Sequence, residues 1–240
     1  MQLSKIPAAI LRRSQRSVFN TFQIDALTFT KFSNPKDLVQ IGSKQGGWVI
    51  PDGLLDADSI CYLAGCGEDI SFDLALMDKF ACDVYAFDPT PRAVEYVRSK
   101  TADNPAYHFE EIGLWDQEDT LEFFAPENSD HVSHSLVNLQ KTTDCIEVKV
   151  KRLSALMDQH GHKKIDLLKL DIEGAEYKVL DSIIDDKIDI RILCVEFDEY
   201  FHQINKYYKS RIRYHVNCLL EYGFELVHAA NNGNYTFVRR

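Results

Sequence analysis

The chain has 240 residues, 45% of them hydrophobic, which suits one large domain or a domain with an extension. Its formal net charge is −10, from 27 basic and 37 acidic residues. Proteins that bind a phosphate backbone usually carry a basic face, and this sequence has no basic run. We therefore do not expect a nucleic-acid partner.

The cysteines indicate a reducing environment. There are six of them, none forms a C-x-x-C pair, and several lie in apolar runs where a free thiol acts as a small hydrophobic side chain. The N-terminal stretch lacks the pattern of a signal peptide, and no run approaches the 18 or so apolar residues of a membrane span. We expect a cytoplasmic protein without a membrane partner.

Residues 1–45 are weakly patterned and are predicted to form an N-terminal helical extension, with the main domain over 46–240. From residue 59 onward, short apolar runs alternate with helical patterns. Strands are predicted at 59–66, 82–88, 106–114, 164–171 and 189–198, and helices around Phe72 and at 91–100, 173–184 and 206–222. Two last strands, in GFELVHA and NYTFVRR, are joined by a hairpin-type turn.

This alternation predicts an α/β fold, with a mostly parallel sheet, helices on both faces and an antiparallel hairpin at the end. Residues 113–153 interrupt the alternation with two extended pieces, TLEFFA and IEVKVKRL, and a polar loop between them. In such sheets, ligands bind beyond the carboxyl ends of the strands. The residues that follow each predicted strand are therefore the candidates for a functional site.

Gly65 and Gly67 lie where the first of these strands turns into a helix. Glycine at such a turn allows a tight bend and the close approach of a ligand. An acid, Asp88, ends the next strand, a position from which an acid typically accepts hydrogen bonds from ribose hydroxyls. The pattern favours a nucleoside site over its simpler alternatives, a glycine-rich turn and a helix cap.

The residues after the first glycine discriminate between cofactors. A dinucleotide-binding fingerprint would have a third glycine where this chain has Ile70, and it would place a pyrophosphate beside Glu68 and Asp69. Like charges in such a cleft are unfavourable. S-adenosylmethionine instead carries a sulfonium and an ammonium group, which these acids attract. The turn therefore favours S-adenosylmethionine over a nicotinamide cofactor.

Four segments, GCGEDISFDLAL, VYAFDPTPRA, VSHSLVN and above all IDLLKLDIEGAEYKVL, resemble the FkbM family of S-adenosylmethionine-dependent methyltransferases. The upstream GGWVIP resembles one branch of that family. The resemblance covers roughly residues 44–238, and its K-x-D-x-E-G-x-E motif is the specific part. It implies the class I methyltransferase fold, a Rossmann-like, mostly parallel sheet of seven strands with helices on both faces.

The resemblance also implies roles for particular residues. Gly65 and Gly67 would form the cofactor turn, Asp88 would hold the ribose, the segment Glu111–Leu114 with Gly113 would flank the adenine, and Asp171 would lie near the transferred methyl. The chain departs from the class I pattern at Leu63, where an acid is common, and at Asp69, where a third glycine is usual. We infer that Glu68 or Asp69 contacts the methionine ammonium instead.

Three acids, Asp171, Glu173 and Glu176, lie where the fourth strand turns into a helix. Glu173 and Glu176 in a first helical turn complement the helix dipole, by about 0.3–1 kcal/mol each. We prefer this explanation for Glu176 and keep Glu173 as a catalytic candidate. Asp171 ends a buried strand, where an unpaired charge is costly, so we expect it to contact cofactor, acceptor or a metal.

Methyl transfer to a hydroxyl requires an aligned oxygen and, where the hydroxyl is not acidic, a base. Candidate bases are His131 and His134 in the polar loop, Asp171, and Glu196 or Asp198 after the fifth strand. The two histidines could face one way on a turn or could be an exposed pair without a role. Their spacing is not a strong zinc signature, and the sequence leaves metal dependence unknown.

We expect an O-methyltransferase whose acceptor is a hydroxyl of a sugar, a glycan or another small metabolite. The family resemblance, the polar loop at 127–144 and an aromatic stretch at 197–208 suit such an acceptor, unless the loop is merely solvated and the aromatics are core. A nicotinamide-dependent oxidoreductase and a cofactor-binding domain without catalysis are the competing functions. The sequence does not reveal the acceptor's identity or the oligomeric state.

Overall fold

The computed structural model describes Leu27, Thr30, Phe32, Ser33 and residues 37–125 and 142–239. Its first strands, β1 (Leu38–Ile41) and β2 (Trp48–Pro51), pair antiparallel. Most of the predicted helical extension lies outside the described residues. The prediction is wrong for Leu38–Ile41, because this segment pairs with β2 and buries Ile41 in the core. The predicted boundary at residue 46 falls between the two paired strands and stays a prediction.

The remaining strands and helices alternate along the chain. In chain order they are β3 (Ile60–Ala64), α1 (Ser71–Phe80), β4 (Asp83–Phe87), α2 (Pro91–Thr101), β5 (Tyr107–Glu110), β6 (Gly113–Leu114), β7 (Asp119–Phe124), β8 (Cys145–Lys151), α3 (Leu153–His160), β9 (Ile165–Leu170), α4 (Glu176–Asp185), β10 (Ile190–Glu196), α5 (Tyr208–Glu221), β11 (Glu225–Ala229) and β12 (Asn234–Val238). A 3₁₀ turn at Asp198–Tyr200 follows β10.

Seven strands form the main sheet, in the order β11-β12-β10-β9-β3-β4-β5. Strand β12 runs antiparallel to both of its neighbours, and the other pairs are parallel. Counted along the chain, the sheet order is 6-7-5-4-1-2-3 with the seventh strand reversed. This is the topology that the resemblance to class I methyltransferases implies, so the predicted fold class is confirmed.

Both faces of this sheet are covered by apolar side chains. Helices α3, α4 and α5 pack on one face, while α1, α2 and the β1–β2 hairpin pack on the other. Successive residues of β3 point to opposite faces, with Tyr62 and Ala64 in the first core and Cys61 and Leu63 in the second. Strands buried on both faces must be apolar throughout, which explains the continuous apolar runs in the sequence.

The segment that interrupts the predicted alternation contains two features. The pieces TLEFFA and IEVKVKRL are largely the strands β7 and β8, which pair antiparallel in a small sheet with β6. Helix α3 is not among the helices predicted from the sequence. Its Leu153, Leu156 and Met157 have the i, i+3, i+4 spacing of a buried helical face and belong to the first core.

The cysteines lie mostly in the interior of the protein. All six cysteines are free, and five of them are buried. Within the part of the chain that the structure describes, no helix is long and apolar enough to cross a bilayer. The cytoplasmic location stays a prediction.

Candidate active site

The strand order reverses between β3 and β9, and a cavity of about 300 Å³ opens beyond the carboxyl ends of these strands. Such a reversal is the usual ligand position in an open α/β sheet. The structure brings most predicted site residues into the cavity wall: Gly65, Gly67, Glu68, Asp69, Asp88, Gly113, Leu114, Asp171 and Glu173. His131 and His134 lie outside the described residues.

Glu111 does not lie at the cavity, in contrast to the expectation for the segment Glu111–Leu114. Its carboxylate is directed to the guanidinium of Arg98 at the protein surface. The next side chain, Ile112, is buried in the core, so the chain turns there. Only Gly113 and Leu114 then face the cavity.

Asp88 holds the glycine turn in place. Its Oδ2 accepts hydrogen bonds from the backbone N–H groups of Cys66 (2.9 Å) and Gly67 (3.0 Å). Its Oδ1 accepts from the N–H (2.9 Å) and the hydroxyl (2.7 Å) of Thr90. Asp88 is only 6% exposed, and four hydrogen bonds satisfy a carboxylate. It therefore shapes the turn, and a ribose hydroxyl would have to share oxygens that are already bonded.

Gly65, which follows β3, lies against the backbone of Asp171, which follows β9. Its φ of +84° is rare for residues with a side chain. A Cβ at this position would lie 1.7 Å from the backbone oxygen of Asp171. Gly67 also has a positive φ, of +52°, but a Cβ there would meet nothing within 4 Å. Gly65 is therefore required by the close approach of the backbone, whereas Gly67 provides only a backbone conformation that other residues rarely adopt.

The two acids of the turn have different surroundings. Glu68 is exposed and pairs with Arg92 at 2.7 Å. Asp69 accepts hydrogen bonds from the Ser43 hydroxyl (2.7 Å) and the Ser71 N–H (2.9 Å). Burial alone would raise the pKa of Asp69, but the hydrogen bonds from Ser71 and Ser43 lower it below its usual value. Asp69 is therefore held in its ionised form at the cavity wall.

Lys169, which the sequence analysis did not assign to the site, lies at the cavity wall with 5% of its surface exposed. Its ammonium donates to the carbonyl oxygen of Gly65 and lies 3.2 Å from Oδ2 of Asp171. Burial alone would lower the pKa of Lys169, but the carboxylates of Asp171 and Asp73 raise it, so the side chain is a fixed cation. The sequence feature that could have indicated a role for Lys169 is its position as a charged residue inside the apolar run IDLLKLD.

Carboxyl groups gather after β9 and β10. Burial and the neighbouring Asp171 carboxylate raise the pKa of Glu196 to about 9, so Glu196 is protonated at neutral pH and hydrogen-bonds to Asp171. Carboxylate oxygens of Asp171, Glu173 and Asp198 lie within 4.8 Å of one another, a spacing at which three carboxylates can bind one cation. These three are the residues that could hold a metal; metal dependence itself stays open.

Glu176 is 1% exposed, so it is more than a surface partner of the helix dipole. It accepts hydrogen bonds from the backbone N–H groups of Ile172 (3.0 Å) and Gly174 (3.0 Å), and Asp198 accepts from the same Gly174 N–H at 2.8 Å. Burial raises the pKa of Glu176 to about 7, and burial together with Glu176 raises that of Asp198. The pair holds the turn in which Glu173 has a φ of +52°.

The aromatic stretch at 197–208 divides into core and surface. Phe197 is fully buried in the first core, and Tyr200 donates to or accepts from the hydroxyl of Tyr235 at 2.6 Å. Phe201 is 58% exposed and Tyr207 is also exposed. Only the latter two are available to a large ligand at the surface.

Beneath the turn, Asp73 of α1 accepts a hydrogen bond from the hydroxyl of Tyr107 at 2.7 Å. Burial raises the pKa of Asp73 to about 6, against the opposing influence of Lys169 and of the Tyr107 hydrogen bond. The side chain is thus part of the buried network that supports Lys169.

We predict that Gly65→Ala destabilises the protein far more than Gly67→Ala. The first change forces a Cβ into the Asp171 backbone and should cost about 4 kcal/mol or more of unfolding free energy. The second adds only left-handed backbone strain, about 1–2 kcal/mol. Urea unfolding of the two variants measures the difference, and equal losses would contradict the close approach of β3 and β9.

We predict that the titration of Asp73 lowers the unfolding free energy of the protein as pH rises. The native pKa of about 6 exceeds the unfolded value of about 3.9, so this contribution is fully present below about pH 4 and is lost through pH 6. The difference in unfolding free energy between wild type and Asp73→Asn should therefore decrease by about 2 kcal/mol from pH 4 to pH 7.5. Parallel stability curves for the two proteins would contradict this prediction.

The sequence matches the methyltransferase FkbM domain over residues 66–226. Probable methyltransferase-like protein 24 of Rattus norvegicus is 27% identical over 141 residues, which cover 59% of this chain and 32% of that protein. The protein of the same name from Homo sapiens is 26% identical over 141 residues, with the same coverage. The chain thus spans about a third of the length of these curated relatives.

Two fibrillarins are among the similar solved structures. The pre-rRNA processing fibrillarin of Methanococcus jannaschii has 10% identity and a TM-score of 0.44, with 88% of this chain and 86% of that chain covered. Aeropyrum pernix fibrillarin, solved with natively bound S-adenosyl-L-methionine, has 13% identity and a TM-score of 0.40, with 79% and 68% covered. At these values the likeness says nothing about substrate or mechanism.

The match to the FkbM domain covers more than half of the chain and includes Gly67, Asp88 and the acids after β9. It agrees with S-adenosylmethionine as the expected cofactor. The chain therefore belongs to the FkbM methyltransferase family, as its sequence motifs indicate.

Proposed function

We propose that this methyltransferase uses S-adenosylmethionine to methylate a hydroxyl group of a sugar, a glycan or another polyhydroxylated metabolite. The observation that carries the proposal is the cavity at the sheet's switch point. The glycine turn after β3 forms one side of its wall, and the carboxyl groups after β9 and β10 form the other. A cofactor and an acceptor can meet between these two sides.

The cofactor side suits a cationic nucleoside. Asp69 provides an ionised carboxylate for the ammonium of the cofactor, and Asp88 keeps the turn in shape beneath the ribose. Leu114 and Phe123 provide apolar wall on which a purine can pack. The bound cofactor supplies an activated methyl group, so the protein's task is mainly alignment.

The same residues argue against a nicotinamide dinucleotide. Position 70, where a dinucleotide fingerprint has a third glycine, is occupied by Ile70, whose side chain is buried in the second core. Glu68 and Asp69 would face the negative charges of that group. Both observations support S-adenosylmethionine and disfavour an oxidoreductase.

The acceptor side suits hydroxyl groups, which both donate and accept hydrogen bonds. Asp171 is about 30% exposed in its side chain and can accept a hydrogen bond from a hydroxyl, while Glu196, whose proton is donated to Asp171, lies beside it at the cavity wall. We assign Asp171 to the acceptor, where its carboxylate can take the hydroxyl proton as the oxygen attacks the methyl. Glu173 lies beside it and supports the same acceptor.

The polar loop remains the second source of acceptor contacts. His131 and His134 stay predicted catalytic residues. Exposed Phe201 and Tyr207, after β10, support stacking on the C–H face of a sugar ring.

We expect S-adenosylhomocysteine, the product form of the cofactor, to bind the wild-type protein in calorimetry, and NAD to show no binding. Asp88→Ala should weaken S-adenosylhomocysteine binding roughly 10- to 150-fold, because the charged hydrogen bonds that hold the turn are lost. Asp83→Ala is the matched control, since Asp83 lies exposed at the opposite end of β4. Binding of NAD alone would overturn the cofactor assignment, and equal affinities for the two variants would contradict the role of Asp88 in holding the cofactor turn.

We expect a screen with methyl-labelled cofactor to place the label on a hydroxyl of a glycan, nucleotide sugar or small metabolite. With that acceptor, Asp171→Asn should lower turnover about 10²-fold or more while cofactor affinity changes much less, because the proton acceptor is lost. Asp158→Asn, exposed on α3, is the control. Label on RNA or on protein lysine, with none on a hydroxylated small molecule or glycan, would rule out this acceptor class.

A further inference from the structure

Lys169 is the one lysine that is buried in the part of the chain that the structure describes. Its neighbours in β9, Leu168 and Leu170, are fully buried apolar side chains. Burying an ammonium costs free energy even when it is paired, and an apolar side chain of similar volume often stabilises a core as well or better. The lysine therefore calls for an explanation other than packing.

The ammonium of Lys169 joins two different chain segments. It donates a hydrogen bond to the carbonyl oxygen of Gly65, which follows β3, and it forms an ion pair of 3.2 Å with Asp171, which follows β9. These are the two sides of the cavity, since Gly65 begins the cofactor turn and Asp171 faces the acceptor side. A single side chain thus contacts both halves of the site.

The glycine turn is consequently held from two directions. Asp88 accepts hydrogen bonds from the N–H groups of Cys66 and Gly67, and Lys169 donates to the carbonyl of Gly65. Loss of the N–H contacts or of the carbonyl contact would free one side of the turn. The backbone also joins the two segments, since the Asp171 N–H donates to the Ala64 carbonyl at 3.2 Å. Of the two side chains that hold the turn, only Lys169 also contacts the side chain of Asp171.

We propose that Lys169 is a positioning residue that ties the cofactor turn to the acceptor-side carboxylate of Asp171. In this role Lys169 acts on the cofactor through Gly65 and on the acceptor through Asp171. The inference rests on the proposed function, and it assigns to one buried lysine the alignment of cofactor and acceptor that methyl transfer requires.

The test compares Lys169→Met with Lys164→Met by calorimetry with S-adenosylhomocysteine, in buffer with a metal chelator. Lys164 is a matched control because it pairs with Asp166, two residues on, at the other end of β9. Both substitutions remove an ion pair between residues two apart in sequence, one at the start of β9 and one at its end. We expect Lys169→Met to weaken binding roughly 10- to 150-fold and Lys164→Met to leave it unchanged.

A purely structural lysine would give a different result. Lys169→Met would then change the melting temperature, measured by circular dichroism, while the folded protein bound S-adenosylhomocysteine like wild type, and this outcome would overturn the proposal. Lys169→Gln provides a second variant should the methionine form not fold, and the same loss of affinity is expected. Absence of binding to the wild type would instead contradict the proposed function itself.

Discussion

The site depends on the close approach of two strand ends, where the backbone of Gly65 meets the backbone of Asp171. A side-chain atom at Gly65 would lie 1.7 Å from the Asp171 oxygen, so only glycine permits this distance. The approach places the cofactor turn of β3 directly beside the acids that follow β9. The parallel pairing of β3 with β9, at the point where the strand order reverses, creates this arrangement.

Electrostatics then divides the cavity into two sides. Near the turn, Asp69 is ionised and Glu68 is paired with Arg92. Near β10, Glu196 holds a proton because it is buried beside Asp171. A cationic cofactor fits the first side and a hydroxyl, which donates and accepts, fits the second. Lys169 lies between them as a buried cation.

Features of the fold and the site that depend on local sequence patterns could be predicted from the sequence. Apolar runs and glycines located the strands of the main sheet and the turn at Gly65, and the motif around Asp171 indicated the family. Features that depend on tertiary contacts could not be predicted from the sequence. The hairpin partner of Leu38–Ile41, the protonation of Glu196 and the inward direction of Lys169 depend on neighbours distant in sequence. Glu111 was misplaced because burial of Ile112 turns the chain.

The most direct test of the account is a crystal structure of the protein with S-adenosylhomocysteine. We predict that the ligand occupies the cavity, with its amino-acid end beside Asp69, its adenine against Leu114 and its sulfur facing Asp171. Binding elsewhere on the protein, or a ligand whose sulfur is directed away from Asp171, would contradict the assignment of the two sides of the site.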